Sequence, residues 1–133
     1  MTHRRFQIKK WQQYWWIPLL IGSMIYILFR SESLLYNRLI GTVFHPIATP
    51  ESVLEQIIVY SLPDGLWAMS YTMLILTIRK KRDRTTLLWS MIIPIIGFCS
   101  EIAQFYFIIP GTFDIFDLVM YLCLPLIVIN FSK

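Results

Sequence analysis

Reactive side chains are scarce in this chain. Of 133 residues only two are cysteine and two are histidine. Cys99 and Cys123 are too far apart in sequence for a metal-binding or redox spacing and read as small apolar packing residues. His3 stands at the amino terminus and His45 in a connection, so no thiol–imidazole or serine–histidine nucleophile is written here. Charge is also sparse, at 15% of residues, and most of it lies in two short clusters. A water-soluble fold of this size spreads charged residues over its whole surface. The long uncharged runs therefore exclude that class. The net charge of +4 comes from basic residues that flank apolar stretches, with no RNA-binding or helix-turn-helix pattern beside them, which excludes a nucleic-acid partner. No internal repeat or low-complexity segment interrupts the chain.

What is present is apolar and aromatic: 56% hydrophobic and 16% aromatic residues, with a mean hydropathy of +0.58. This composition predicts an all-α polytopic membrane protein, one domain over residues 1–133 with four transmembrane helices. Arg4, Arg5, Lys9 and Lys10, then Trp11, Tyr14, Trp15 and Trp16, form the anchor expected at the inner end of a first span, about Trp15 to Phe29. The same charge order suits a signal peptide, but Arg30 and Glu32 surround the only small residues and no A-x-A site follows, so the segment is expected to stay. Residues 31–56 connect to the second span. Leu35, Leu39, Ile40, Val43 and Phe44 recur there at helical spacing and predict an interfacial or re-entrant segment. Ser52 and Glu55 then match a capping box.

The second span is expected from about Ile57 to Ile78, broken near Pro63, where proline removes an amide donor. The run Arg79, Lys80, Lys81, Arg82, Asp83, Arg84 forms a tight turn. The third span is expected from about Thr86 to Ile109, stopped by Pro110 and Gly111. The fourth begins near Asp114 or Asp117 and ends by Phe131. Ten of the twelve Lys and Arg residues fall on the side of the termini and the middle turn, leaving Arg30 and Arg38 opposite. The positive-inside rule places both termini in the cytoplasm and the chain in a bacterial cytoplasmic membrane.

Four acids sit in or beside these spans: Asp64, Glu101, Asp114 and Asp117. A carboxyl near hydrocarbon costs about 2.5–3.5 kcal/mol and marks a candidate functional site. At 1.5 Å of rise per residue, Asp64 lies about 10 Å and Glu101 about 12 Å from the outer ends of their spans. Gln104 shares a helix face with Glu101. An outward-opening polar pocket of Asp64, Glu101, Gln104, Asp114 and Asp117 is the simplest arrangement. Each acid also has a purely structural explanation. Asp114 and Asp117 suit a helix start. Glu101 with Gln104 suits an interhelical hydrogen bond. Asp64 suits the broken helix around Pro63.

The stretches Glu101-Ile-Ala-Gln104 and Gly111-Thr-Phe-Asp114-Ile-Phe-Asp117-Leu resemble the VanZ-like family of small bacterial membrane proteins. Members share a Glu-x-x-Gln pair on one span and a Phe-Asp-x-x-Asp element opening the next. Ser61-Leu-Pro-Asp64-Gly-Leu-Trp67 looks like the matching element of some short relatives. Members often carry Arg before the aspartates, where this chain has Gly111 and Thr112. They often carry Asn four residues after the last Asp, where it has Tyr121. The resemblance implies a four-span bundle and a cell-envelope role; the founding member is associated with resistance to a glycopeptide antibiotic.

Three functions fit the residues. One is binding of a membrane lipid or lipid-linked envelope precursor by its headgroup. A second is a membrane enzyme whose acids act as acid and base or hold a hard divalent cation through oxygen alone, no other cofactor being expected. A third is a proton-coupled transporter working as a homo-oligomer; the first span, which holds the essential Glu of small multidrug transporters, has no acid here.

Overall fold

The computed structural model describes residues 10–30, 39 and 46–132. All regular structure among them is helical. A 3-10 turn, Lys10–Tyr14, leads into α1, Trp16–Phe29. After the connection come a short helix α2, Val53–Gln56, a π-helical turn, Ile57–Ser61, and α3, Leu62–Arg79. Helices α4, Arg84–Phe105, and α5, Ile115–Phe131, complete the chain. Helix α3 is central and packs on α1, α4 and α5, while α4 and α5 also pack on each other. The expected interfacial segment lies outside the described residues except for Leu39, which is helical and exposed.

The helix boundaries follow from local chemistry. The capping box at Ser52 forms as expected: Glu55 N–H donates to Ser52 Oγ at 3.2 Å, and Ser52 N–H donates back to Glu55 at 3.2 Å. The break expected at Pro63 is a widened turn. The Leu62 N–H donates to the carbonyl of Ile57, five residues back, and Pro63 enters the first turn of α3, where an amide donor is dispensable. Asp83 starts α4, its Oδ1 accepting from the Thr86 N–H at 2.7 Å.

Two expectations need correction. The third helix stops at Phe105, not Ile109. Phe107 adopts a left-handed backbone with φ of 55°, its N–H donates to the Gln104 carbonyl at 3.0 Å, and the Ile108 N–H reaches the Ala103 carbonyl at 2.9 Å. This is a Schellman ending built on a phenylalanine instead of a glycine. Pro110 and Gly111 therefore belong to the loop and do not end the helix. Cys99 and Cys123 are exposed on the faces of α4 and α5, not packed inside.

Side chains are distributed unusually. Val59, Ala68, Met73, Leu76 and Val128 are the buried hydrophobic residues, whereas Gln12, Ser61, Ser70, Thr72, Thr86, Ser90, Glu101 and Ser132 are buried polar ones. Large apolar side chains instead cover the outside, among them Leu20 and Met24 of α1, and Leu88, Ile93 and Ile96 of α4. Small residues permit the close packing. A Cβ on Gly65 of α3 would come within 2.8 Å of the Met120 Cβ of α5, and one on Gly97 of α4 would overlap the Tyr121 ring. Among the described residues, one helix, Arg84–Phe105, is long and apolar enough to cross a membrane, and Ile115–Phe131 is a shorter apolar helix.

Candidate functional site

Three helices deliver their acids to one level. From Asp64 to the end of α3 at Arg79 the axial rise is about 22 Å, from Glu101 back to Arg84 about 26 Å, and from Asp117 to Phe131 about 21 Å. Because α4 is shorter than expected, Glu101 lies only about 6 Å from its end at Phe105. The agreement in height arises because α3 and α4 run in opposite directions from one tight turn.

The carboxylates lie close enough to influence one another. Asp64 interacts electrostatically with Asp117 and Glu101, and Glu101 with Asp117 and Asp114. Glu101 is 6% exposed, and its Oε2 accepts from the Asp114 N–H at 3.2 Å. That bond joins the end of α4 to the start of α5. Asp114 spends its Oδ1 on the Phe116 N–H at 2.8 Å, capping α5 at the rim of the group. Gln104 has a further contact. Its amide packs against Gly111, which has a φ of +146°, so it braces the α4–α5 loop.

Sequence reasoning missed three further members. Tyr121, one turn after Asp117, interacts with Asp64, Asp117 and Glu101 and rests its ring on Gly97. Its spacing of four from Asp117 was the available signal. Ser61, three residues before Asp64, is fully buried, and its side chain lies in interaction range of the Asp117 carboxylate. No hydrogen bond of normal geometry satisfies Ser61 Oγ or Asp117 Oδ1, although both atoms are buried. Arg30, just past the end of α1, interacts with Asp64 and Asp117. Its guanidinium lies 4.8 Å from the Tyr26 ring centroid and 5.4 Å from that of Tyr60, within cation–π range. Nothing local foretold this; the sole signal was that Arg30 is one of two cations on its side of the chain.

A cavity of about 370 Å³ opens beside this end, lined by Phe29, Ala48, Thr49, Pro50, Glu51, Glu55, Ile58 and Val59. Its walls are continuous in sequence with Arg30 and Ser61. Among the described residues, no three His, Cys, Asp or Glu side chains are grouped to hold a metal ion. The arrangement is suited to holding a compact polar or cationic group, or to exchanging protons. Compared with known proteins, the chain matches no family model, no curated protein and no solved structure.

Proposed function

We propose that this chain is a four-span bacterial inner-membrane protein, with both termini cytoplasmic, that binds the headgroup of a membrane lipid or lipid-linked envelope precursor at its outer end. The membrane reading is supported by the inverted surface: serine, threonine and glutamine inside, leucine and isoleucine outside. Contiguous apolar surface on this scale calls for lipid or a partner, and in lipid helices associate through small and hydroxyl side chains, as here. The α-helix of 22 residues in α4 spans about 33 Å, enough for a hydrocarbon core of roughly 30 Å. The shorter α1 and α5 cross with thinning of the bilayer or with help from flanking aromatics. A role in the envelope, of the VanZ-like kind, is supported by the way the two parts of the resemblance meet: Glu101 of the Glu-x-x-Gln pair holds the N–H of Asp114 in the Phe-Asp-x-x-Asp element.

The observation that carries the binding reading is the convergence of Asp64, Glu101 and Asp117 from three helices at one height, with Arg30 beside them. A bundle held together by hydrogen bonds alone has no need of this much charge at one place. The test is to purify the wild-type protein with Glu101→Gln and Asp117→Asn and to quantify retained lipid by native mass spectrometry. Glu101→Gln keeps an oxygen for the Asp114 N–H. The expected result is lipid bound to the wild type and lost from both variants, with unfolding temperatures little changed. If both variants instead lose folded protein, the acids are structural.

A further inference from the structure

Resting on the membrane reading above, we infer that the α4–α5 loop is a membrane-interface anchor. Its rings and isoleucines are immersed among lipid headgroups and upper acyl chains instead of standing in water. Composition supplies the first argument. The turns at the two ends of α4 are opposites: residues 80–83 are all charged, whereas none of residues 102–113 is. Residues 105–113 are all exposed, and Phe105, Tyr106, Phe107, Ile108, Ile109 and Phe113 among them are large and apolar. Phe107 is 92% exposed and Ile108 74%. Turns that face water are built from small and polar residues, and apolar surface this concentrated calls for a cover. Helix α4 holds the two turns about 33 Å apart, close to the roughly 30 Å of a hydrocarbon core. With the charged turn at the headgroups of one leaflet, the loop falls at the boundary of the other, where aromatic side chains settle.

The backbone supplies a second, independent argument. Non-helical chain is kept out of lipid where its polar groups are unmet. Here the N–H groups of Tyr106, Phe107 and Ile108 donate to the carbonyls of Ile102, Gln104 and Ala103 at 3.2, 3.0 and 2.9 Å. The Asp114 N–H donates to Glu101 Oε2 at 3.2 Å, and Pro110 has no N–H to satisfy. The loop therefore spends amide donors on α4 while its rings stay exposed, which suits a layer poor in water. Lipid fits this surface better than a protein partner does. Protein interfaces carry about one hydrogen bond per 100–200 Å², and the side chains of residues 105–113 offer only the Tyr106 and Thr112 hydroxyls. Fluid chains require no such matching. A hollow of about 390 Å³ among Phe105, Phe107 and Phe113, with Gln104, Gly111 and Thr112 completing its wall, gives an acyl chain a place to lodge.

The experiment is spin labelling of the whole chain in vesicles of phosphatidylethanolamine and phosphatidylglycerol. Cys99→Ser and Cys123→Ser remove the exposed native thiols. Single labels then go on Ile108→Cys in the loop, Lys81→Cys in the charged turn and Ile96→Cys on the exposed face of α4. Collision with oxygen, which enters lipid, is compared with collision with a water-soluble nickel chelate. The expected result is an Ile108 label roughly fivefold or more less open to nickel than the Lys81 label, and more open to oxygen. If Ile108→Cys does not fold, Tyr106→Cys, which is also exposed, gives the same reading. A loop label as open to nickel as the Lys81 label, with Ile96 shielded, overturns the anchor and leaves the membrane reading standing. An Ile96 label open to nickel overturns both. A loop label shielded from nickel and oxygen alike means that protein covers the loop, and overturns the assignment to lipid.

Discussion

The two ends of the bundle bury polar groups in opposite ways. At the end that holds Gln12 and the Arg79–Arg84 turn, hydroxyls tie helix to helix through backbone carbonyls. Thr72 Oγ1 donates to the Ser90 carbonyl at 2.9 Å, Ser70 Oγ to the Trp15 carbonyl at 2.6 Å, and Thr77 Oγ1 to the carbonyls of Gln12 and Met73 at 2.9 and 2.8 Å. Gln12 reaches Ser132 across the whole length of the sequence. At the opposite end, acids and an arginine interact electrostatically, and the buried Ser61 hydroxyl lies beside the Asp117 carboxylate. Both regions contain polar side chains in an apolar shell. The first ties helix to helix through backbone carbonyls; the second gathers like charges, which a structural seam does not need. Gathered charge, more than polarity itself, separates a candidate site from a structural seam, since buried polar atoms lacking a hydrogen bond of normal geometry occur at both ends, on Gln12 and Arg82 as on Ser61 and Asp117.

The most severe way to break this contrast is to push the helices apart where both regions depend on them. Gly65 sits one residue from Asp64, and its missing side chain lets α3 meet α5 at Met120. Gly65→Val should cost about 3 kcal/mol, the upper range for overpacked interiors, and should also abolish lipid retention, because Asp64 and Asp117 ride on those two helices. Chemical unfolding in detergent, paired with lipid quantification, checks both. Retained binding at reduced stability would show that the acids do not act as one site.

A matched pair of smaller changes sharpens the contrast. Thr72→Val removes an inner hydroxyl that has a partner and should lower stability by about 0.6–1.7 kcal/mol without altering lipid retention. Ser61→Ala removes a hydroxyl at the charged end that lies beside the Asp117 carboxylate. It should change stability little, since no hydrogen bond of normal geometry is lost with it. Its effect should appear in binding. Equal destabilisation by both substitutions, read from thermal unfolding, would erase the difference between the two ends.

The α4–α5 loop offers a milder probe. Phe107 holds a left-handed φ of 55° and is almost fully exposed. Bulky residues are rare in that conformation, which costs roughly 1–2 kcal/mol outside glycine. Phe107→Gly should recover about 1 kcal/mol, measured by unfolding in detergent. It should leave binding intact, since the loop is fastened to the site through Glu101 and Asp114 rather than through Phe107.

How much of this was legible in the sequence depends on the range of the interaction. Short-range signals served well. The Ser52–Glu55 box, the start of α5 at Asp114 and the disruption near Pro63 each depend on residues within one or two turns. The similar heights of Asp64 and Glu101 followed from counting residues on either side of a tight turn. The end of α4 was misplaced because glycine and proline are the usual stop signals, and here the left-handed residue is Phe107. Helical spacing puts Gln104 on the face of Glu101, but spacing does not say which loop residue a long amide will also meet, here Gly111. Arg30 was invisible as a site member, since only tertiary packing of α1 on α3 brings it to Asp64.

The smallest expected effect concerns pH and touches both ends outside the spans. At the inner turn, the Thr86 hydroxyl and N–H hold the Asp83 carboxyl below the usual carboxylate range. At the outer side, the N–H groups of Glu51 and Ser52 do the same for Glu55, the nearer at 2.8 Å. A carboxyl whose folded value is lowered contributes stability that is fully present above the unfolded value, near pH 4, and is lost as pH falls through the folded value. Both caps should therefore weaken together below about pH 4. Asp83→Asn and Glu55→Gln keep a capping oxygen but do not titrate. Each should flatten part of the acid limb of a thermal-stability profile while leaving stability near neutrality almost unchanged. If neither substitution alters the acid limb, the pH response belongs to the carboxylates between the helices. The contrast would then extend to protonation, with one end of the bundle indifferent to acid and the other set by it.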